Sequence, residues 1–199
     1  MRMSKYFLKT LRETAEEIES VSHGLSLRAG LIQMVVSGHY NYLPLGTRVL
    51  RKISNVIRQE MDAIGSLETM MAIMLPQELW EESGRWEGFG PVMFKVKNRR
   101  GQQFGLGPTH EEAVTFMARA NIQSYKDLPV ILYQIGTKLR DEPRARGGLL
   151  RAREFIMKDA YSFEANETTL DHNYEAMRQA YLKIFKRCRV KPIVIEADS

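Results

Sequence analysis

The segment from Thr137 to Phe163, TKLRDEPRARGGLLRAREFIMKDAYSF, concentrates the side chains of this chain that are best suited to bind anions. Its guanidinium groups belong to Arg140, Arg144, Arg146, Arg151 and Arg153. An arginine stays charged in proteins, and its planar fork can donate two parallel hydrogen bonds to a phosphate or a carboxylate. The segment is therefore the first candidate for a phosphate- or carboxylate-binding site.

Two predicted strands, 129–142 and 149–161, flank a loop that contains Pro143, Gly147 and Gly148. Side chains alternate between the two faces of a strand, so each strand presents one set of these groups together. The sets are Lys138, Arg140 and Glu142 on the first strand, and Arg151, Arg153, Phe155 and Met157 on the second. If the pairing register joins the two sets, one face carries guanidinium groups, a carboxylate and an aromatic ring. The sequence does not fix that register.

Such a face matches the chemistry of ATP. Guanidinium groups bind phosphates, a carboxylate accepts from the exocyclic amine of adenine, and a phenylalanine ring stacks on a base with about 1–3 kcal/mol of stabilisation. Neither G-x-x-x-x-G-K-[ST] nor G-x-G-x-x-G occurs in the chain, so the sequence gives no support to a P-loop or Rossmann site. The alternatives are a solvated basic hairpin and a patch that grips an RNA backbone.

A second cluster, Thr109-His110-Glu111-Glu112, precedes an apolar helical pattern. Its spacing predicts a capping box, with Thr109 as N-cap and Glu112 as the reciprocal acceptor. Such a box needs no ligand, but it leaves the carboxylate of Glu111 free to pair with a cation. Both interpretations can hold at once.

Apolar periodicity and turn residues predict the elements that position these clusters. We expect helices at 46–65, 109–122 and 168–188, strands at 66–75 and 191–197 besides the pair described above, and a loop followed by a hairpin that turns at Arg100–Gly101. Helices alternate irregularly with hairpins. This order favours an α+β fold, with a mixed, mainly antiparallel sheet flanked by helices, over a doubly wound parallel sheet.

Composition narrows the class of protein only moderately. The chain has 199 residues, 44% of them hydrophobic and 27% charged, with a net charge of +5 that suits a phosphate-bearing partner. Its single cysteine, Cys188, excludes an internal disulfide and fits a reducing compartment. The four histidines have no zinc-site spacing, so no metal ligands are expected among them, and no apolar run is long enough to span a bilayer. We therefore expect a cytoplasmic protein with no membrane partner.

The arginine-rich segment resembles motif 2 of the class II aminoacyl-tRNA synthetases, which has the form Arg-x-Glu, loop, Arg-x-x-x-Phe. The matching residues are Arg140, Glu142, Arg151 and Phe155. Within that class, LYQIGTKLRDEPRAR and REFIMKDAYSF look like the bacterial-type prolyl-tRNA synthetases. LGPTHEEAVTF is similar to the proline-binding loop of that family, and YLPLGTRVLRKI is similar to its dimer-forming motif 1 helix. The resemblance covers essentially the whole chain.

The resemblance implies a role for each matching side chain. Arg140 would bind the proline carboxylate and the α-phosphate of ATP, and Arg151 would reach the β- and γ-phosphates. Glu142 would hold the adenine amine, and Phe155 would stack on the ring. The remaining assignments are Thr109 and Glu111 for the secondary amine of proline, and Arg144 and Arg146 for the acceptor end of the tRNA.

The activity that the resemblance implies is that of a proline–tRNA ligase. ATP, with Mg²⁺ on its phosphates, and L-proline would give prolyl-adenylate, and the prolyl group would then move to tRNA(Pro). The resemblance also implies a homodimer. The alternative functions are a catalytically incomplete paralogue that binds proline, tRNA or a protein partner as a regulator, and a plain RNA-binding module.

The chain departs from the family pattern at three places. Ala72 stands where motif 1 usually has a proline, Gly147 where motif 2 commonly has an aromatic residue, and Ala152 where it has glycine. No segment resembles motif 3, the editing insertion or the anticodon-binding domain. We therefore expect residues 1–199 to be the amino-terminal part of a catalytic domain that contains motifs 1 and 2.

Overall fold

The structure is a computed structural model that describes residues 2–13, 18 and 20–195. Its helices are α1 (Val21–Arg28), α2 (Pro44–Ala63), α3 (Gln77–Glu82), α4 (Arg85–Gly88), α5 (Glu111–Asn121) and α6 (Glu167–Arg187). Its strands are β1 (Ile32–Val36), β2 (His39–Tyr42), β3 (Leu67–Glu68), β4 (Met74–Pro76), β5 (Lys95–Lys97), β6 (Gln103–Leu106), β7 (Val130–Leu139) and β8 (Glu154–Phe163). The predicted α+β class is confirmed.

The strands form three small sheets. β1 pairs with β2, β4 and β5 flank β6, and β3 and β8 flank β7. Every pair is antiparallel except β3 with β7, which is parallel. The prediction of mixed, mainly antiparallel pairing is therefore confirmed, although the strands are divided among separate sheets.

The pairing of β7 with β8 sets the register that the sequence left open. Lys138 lies opposite Phe155, and Gln134 lies opposite Asp159, so these four side chains share one face. The strands are shorter than predicted, because β7 ends at Leu139 and β8 begins at Glu154. Motif 2's charged residues at 140, 142, 151 and 153 therefore lie on the connecting loop, where strand alternation does not place their side chains.

The prediction of one strand at 66–75 is wrong for residues 69–73, which are not strand. Only Leu67–Glu68 and Met74–Pro76 are strands, and the first pairs with β7 whereas the second pairs with β6. The chain has to cross from one sheet to the other between them. It is held there by a hydrogen bond from the backbone N–H of Met71 to Gln134 Oε1 (3.3 Å).

Helix α2 confirms the prediction for 46–65 with a two-residue shift. It begins with Pro44 in its first turn, and Gly65 follows its end with a φ of +79°. Met61 is fully buried, while Val49 and Ile53 are 43% and 41% exposed. The helix therefore carries apolar side chains on its exposed surface as well as its buried one.

The core beside the site is built from a segment that was predicted as loop. Of that predicted loop, which begins at residue 80, residues 80–82 belong to α3 and residues 85–88 form α4, and Trp80 and Trp86 are buried there. They pack with Leu75, Met93 and Ala113 into one cluster that joins the β4–β6–β5 sheet to α5. The predicted hairpin at Arg100–Gly101 is confirmed.

The ends of two predicted elements need correction. Helix α5 starts at Glu111, two residues later than predicted, with His110 as its N-cap. Residues 191–195, predicted as strand, are not strand, and Ile193 is 84% exposed there because no neighbouring strand pairs with it. Positions 196 and 197 of that prediction lie outside the described residues. Among the helices that the structure describes, none combines the length and apolar character needed to cross a bilayer.

Lys158, on the β8 face opposite the site, makes stability depend on pH. Its ammonium lies 3.9 Å from the ring centroid of Tyr181 on α6 and donates to the Tyr181 hydroxyl, and burial lowers the pKa of Lys158 from 10.5 to about 8. Above about pH 8 the folded chain has released a proton that the unfolded chain still holds. Unfolding then takes up a proton, so the contribution of Lys158 raises stability as pH rises from 8 towards 10.

We expect Lys158→Met to flatten this rise, because it removes the group that titrates. The measurement is the free energy of unfolding in urea between pH 7 and 10, with exposed Lys183→Met as the control. An unchanged pH slope in Lys158→Met would contradict the assignment.

Candidate functional site

Arg140 and Phe155 lie on the same side of the β7–β8 sheet. The Arg140 guanidinium carbon is 5.5 Å from the centroid of the Phe155 ring, and its Nε donates to the carbonyl oxygen of Pro108 (3.1 Å). The Arg140 backbone N–H donates to the Arg153 carbonyl (2.8 Å), which extends the β7–β8 ladder by one step. The predicted juxtaposition of guanidinium and ring is thus confirmed, while their roles stay predictions.

Glu142 and Arg151 form an ion pair. Both Nε and Nη2 of Arg151 donate to the same oxygen of Glu142, at 3.0 and 2.8 Å. The Arg151 side chain is 49% exposed and that of Glu142 is 16% exposed. A partly solvated pair of this kind contributes little to stability, about 0–1 kcal/mol, so either group can exchange its partner for a ligand at low cost.

Thr109, Glu111 and Arg140 line one cleft of about 430 Å³, together with Arg85 and neighbouring residues of α4. The hydroxyl of Thr109 donates to the carboxylate of Glu111, and Arg85 Nη1 lies 3.3 Å from the same oxygen. The structure therefore brings the two residues predicted for the amine of proline to the residue predicted for its carboxylate. Opposite charges on Glu111 and Arg140 suit a zwitterion.

The predicted capping box is absent from α5. His110, not Thr109, is the N-cap, and no side chain caps the helix. The carboxylate of Glu112 is buried instead, where it accepts from Ser83 Oγ (2.8 Å) and lies 3.4 Å from Arg85 Nη1. The local pattern was outweighed by a tertiary contact with the α3–α4 junction.

Arg85 is the site residue that sequence reasoning missed. It bridges the carboxylates of Glu111 and Glu112, so it fixes the start of α5 against α4. Its sequence context, ESGRWEG, has no spacing that predicts a ligand contact. Only the fold brings it to the cleft.

A buried polar network lies under the cleft. Lys138 Nζ is 2.7 Å from His110 Nδ1 and 2.9 Å from Asp159 Oδ1, and the hydroxyl of Tyr161 donates to Asp159 Oδ2 (2.7 Å). Gln134 Nε2 also donates to Asp159 Oδ2 (3.1 Å). Burial lowers the pKa of both His110 and Lys138 and raises the pKa of Tyr161. Lys138 was predicted to share the face of Arg140 but was given no role.

Arg144 and Arg146 do not join the cleft. Arg144 is exposed on the loop, and Arg146 forms an isolated backbone bridge with Arg151. Arg146 lines a separate hollow of about 860 Å³ with His23 and Tyr40. Their predicted contact with tRNA stays a prediction.

Arg153, the fifth arginine of the arginine-rich segment, donates hydrogen bonds to backbone carbonyl groups of two loops. Its Nε donates to the carbonyl of Glu142 and its Nη1 to the carbonyl of Ser37, both at 2.9 Å. It thereby holds the loop between β7 and β8 against the tip of the β1–β2 hairpin. Gly38 at that tip accepts from the Arg153 backbone N–H (2.8 Å).

The structure shows the surroundings of the three residues that depart from the family pattern. Ala72 supplies a backbone carbonyl to His110 Nε2 (3.1 Å), which a proline would supply equally. Gly147 has a φ of +68°, which glycine adopts readily, and Ala152 is buried at 4% exposure. No group of three potential metal-ligating side chains exists among the described residues.

A family model named tRNA synthetase class II core domain (G, H, P, S and T) matches residues 94–198. Over all 199 residues, the chain is 54% identical to the proline–tRNA ligase of Caldicellulosiruptor saccharolyticus, of which it covers 35%. It is 53% identical over the same 199 residues to the proline–tRNA ligase of Thermotoga maritima, of which it covers 34%. The chain therefore spans about a third of the length of the curated relatives it matches.

Among solved structures, Giardia lamblia prolyl-tRNA synthetase in complex with prolyl-adenylate matches with a TM-score of 0.72. The match has 23% sequence identity and covers 78% of this chain and 33% of that chain. At this identity the likeness shows the fold, and it agrees with the class II core architecture that the sequence predicts.

We expect Arg153→Met to loosen the loop between β7 and β8, because it keeps the apolar stem but removes two hydrogen bonds to carbonyl oxygens. Hydrogen bonds from charged donors are worth about 1.5–3 kcal/mol each, so amide exchange at 140–153 should accelerate by at least about ten-fold. Hydrogen–deuterium exchange measures this, with exposed Arg144→Met as the control. Equal protection in both variants would show that Arg153 does not hold the loop.

Proposed function

Because this chain belongs to the tRNA synthetase class II core domain family, we propose that it is the amino-terminal part of the catalytic domain of a proline–tRNA ligase. The reaction would activate L-proline with ATP and transfer the prolyl group to tRNA(Pro). The observation that carries the proposal is the convergence of Thr109, Glu111 and Arg140 on one cleft. The two relatives described above, which are 54% and 53% identical and are both named proline–tRNA ligase, support the same substrate.

The cleft offers complementary charge to both ends of proline. The Glu111 carboxylate would pair with the secondary ammonium, and the Thr109 hydroxyl would accept a hydrogen bond from it. Arg140 would hold the carboxylate near the nucleotide. Arg85 Nη1 lies 3.3 Å from the Glu111 carboxylate, so proline would share or displace that contact.

The nucleotide would lie beside proline, over the β7–β8 sheet. The half-buried ring of Phe155 would stack on adenine, and its neighbour Arg140 would then reach the α-phosphate. Glu142 would accept from the adenine amine, and Arg151 would turn to the β- and γ-phosphates. Both would leave the ion pair that they form with one another.

Catalysis in this arrangement would consist of positioning and charge stabilisation. A carboxylate oxygen of proline attacks the α-phosphorus, an O–P bond forms, and pyrophosphate leaves. Arg140 would contact both reacting groups and would stabilise the negative charge that grows on the α-phosphate. Mg²⁺ would accompany ATP on its phosphates, as part of the MgATP substrate.

Two further parts of the proposal concern partners. The first is a homodimer, because α2 resembles the motif 1 helix and exposes Val49 and Ile53. The second is a contact between the tRNA acceptor end and the exposed side chains of Arg144 and Arg146. A proline–tRNA ligase of bacterial type would act in the cytoplasm.

We expect Arg140→Ala to lower proline-dependent ATP–pyrophosphate exchange by about 10²–10³-fold, the usual cost of removing one donor that stabilises a transition state. Arg144→Ala is the matched control, because exchange does not involve tRNA. Exchange within a few-fold of the wild type in Arg140→Ala would move the site elsewhere. Tight proline binding with no exchange by the wild-type protein would favour the non-catalytic regulator.

We expect Phe155→Ala to raise the KM for ATP in the same assay by about 5- to 150-fold, which corresponds to the loss of about 1–3 kcal/mol of stacking. Phe155→Tyr keeps the ring and should stay close to the wild type. If both variants bind ATP as tightly as the wild type, the base does not stack on this ring.

A further inference from the structure

Lys138 is a charged side chain with no exposure to solvent, at the end of β7 and beneath the cleft. Nothing in the proposed chemistry uses it directly. We propose that Lys138 is a positioning residue that holds Thr109 and Glu111 in place through His110. The inference rests on the proposed function in one respect, namely that Thr109 and Glu111 receive the amine of proline.

The two hydrogen bonds of the His110 ring determine its tautomer. The Ala72 carbonyl oxygen, 3.1 Å from Nε2, can only accept, so Nε2 carries a proton. The Lys138 ammonium, 2.7 Å from Nδ1, can only donate, so Nδ1 is an unprotonated acceptor. His110 is therefore neutral, with its proton on Nε2, and it joins Lys138 on β7 to the segment before β4.

The charge of Lys138 is balanced on the other side by β8. Asp159 Oδ1 lies 2.9 Å from Nζ, and the other oxygen of Asp159 accepts from Tyr161 and Gln134. The Tyr161 hydroxyl in turn accepts from the backbone N–H of His110 (3.2 Å). His110 is thus attached to the β7–β8 sheet at two points. Its ring contacts Lys138, and its backbone N–H donates to Tyr161.

The ring of His110 has little room to move. A Cβ atom on Gly107 would lie 2.8 Å from its Cε1, so the backbone before the turn packs directly on the ring. His110 stands between Thr109 and Glu111 in the chain. A displacement of the ring therefore displaces both residues relative to the backbone of Arg140, which is held independently by its hydrogen bond to the Arg153 carbonyl (2.8 Å).

The titratable groups that face His110 agree with a neutral ring. They are Lys138 from β7, Asp159 and Tyr161 from β8 and Glu111 from α5, and burial followed by the Lys138 charge lowers the pKa of His110. A second proton on Nδ1 would face the ammonium at hydrogen-bond distance. A proton on Nδ1 would therefore exclude Lys138 as a donor to the ring.

The first test measures that tautomer by ¹⁵N NMR of the His110 side chain in the wild-type chain between pH 6 and 8. We expect the neutral form, protonated on Nε2, throughout. An imidazolium, or a neutral ring protonated on Nδ1, would overturn the inference, because Lys138 could then not be its donor. This result needs no variant and no activity.

The second test measures proline-dependent ATP–pyrophosphate exchange in the protein that carries this chain. Lys138→Met should lower kcat/KM for proline by about 10- to 100-fold, the scale that follows from a misplacement of about 1 Å, and leave the KM for ATP within about two-fold. Lys138→Gln retains an N–H donor and should recover part of the loss. Lys158→Met removes a lysine from the opposite face of the same sheet and is the matched control.

The route through His110 is tested by the double variant. If Lys138 acts through His110, the losses in Lys138→Met and His110→Ala should be non-additive, with the double variant close to the more impaired single one. Additive losses, a parallel rise in the KM for ATP, or an unchanged kcat/KM for proline in folded Lys138→Met would each overturn it. A wild-type protein without proline-dependent exchange would contradict the proposed function, and the NMR result would still decide the contact between Lys138 and His110.

Discussion

The antiparallel pairing of β7 with β8 is the constraint on which the site depends. Its register places Lys138 opposite Phe155 and Gln134 opposite Asp159 on one face. A slip of one residue would turn these side chains towards the helices on the other side of the sheet. The face that carries Phe155 and the buried network beneath the cleft are therefore consequences of one hydrogen-bond ladder.

The sequence was sufficient for elements in which local pattern and tertiary structure agree. Helix α2 was predicted because apolar residues recur at helical spacing before Gly65, and the fold leaves that pattern undisturbed. The strand pair around the arginine-rich loop was predicted for a similar reason. The sequence named Arg140 and Phe155 as candidates for one face but left the register open, and the structure supplied the pairing that brings them together.

The sequence failed where a distant contact overrides a local preference. Thr109 and Glu112 have the spacing of a capping box, but the hydroxyl of Ser83 and the charge of Arg85 draw Glu112 away from the helix end. The strand at 66–75 was interrupted because its two ends pair with different sheets. Neither outcome can be derived from residues that are near one another in the chain, and the same holds for Arg85 itself.

Gly38 shows how far the requirements of the site extend through the chain. Its φ is +83°, and a Cβ there would lie 2.9 Å from both Ala145 Cβ and Arg153 Cγ. The peptide oxygen of the same residue accepts from the amides that open β8, at 2.8 and 3.3 Å. Every other amino acid at this hairpin tip would need an unfavourable backbone conformation and would press on the residues that precede β8, so substitution of Gly38 would disturb the loop that carries Glu142 and Arg151.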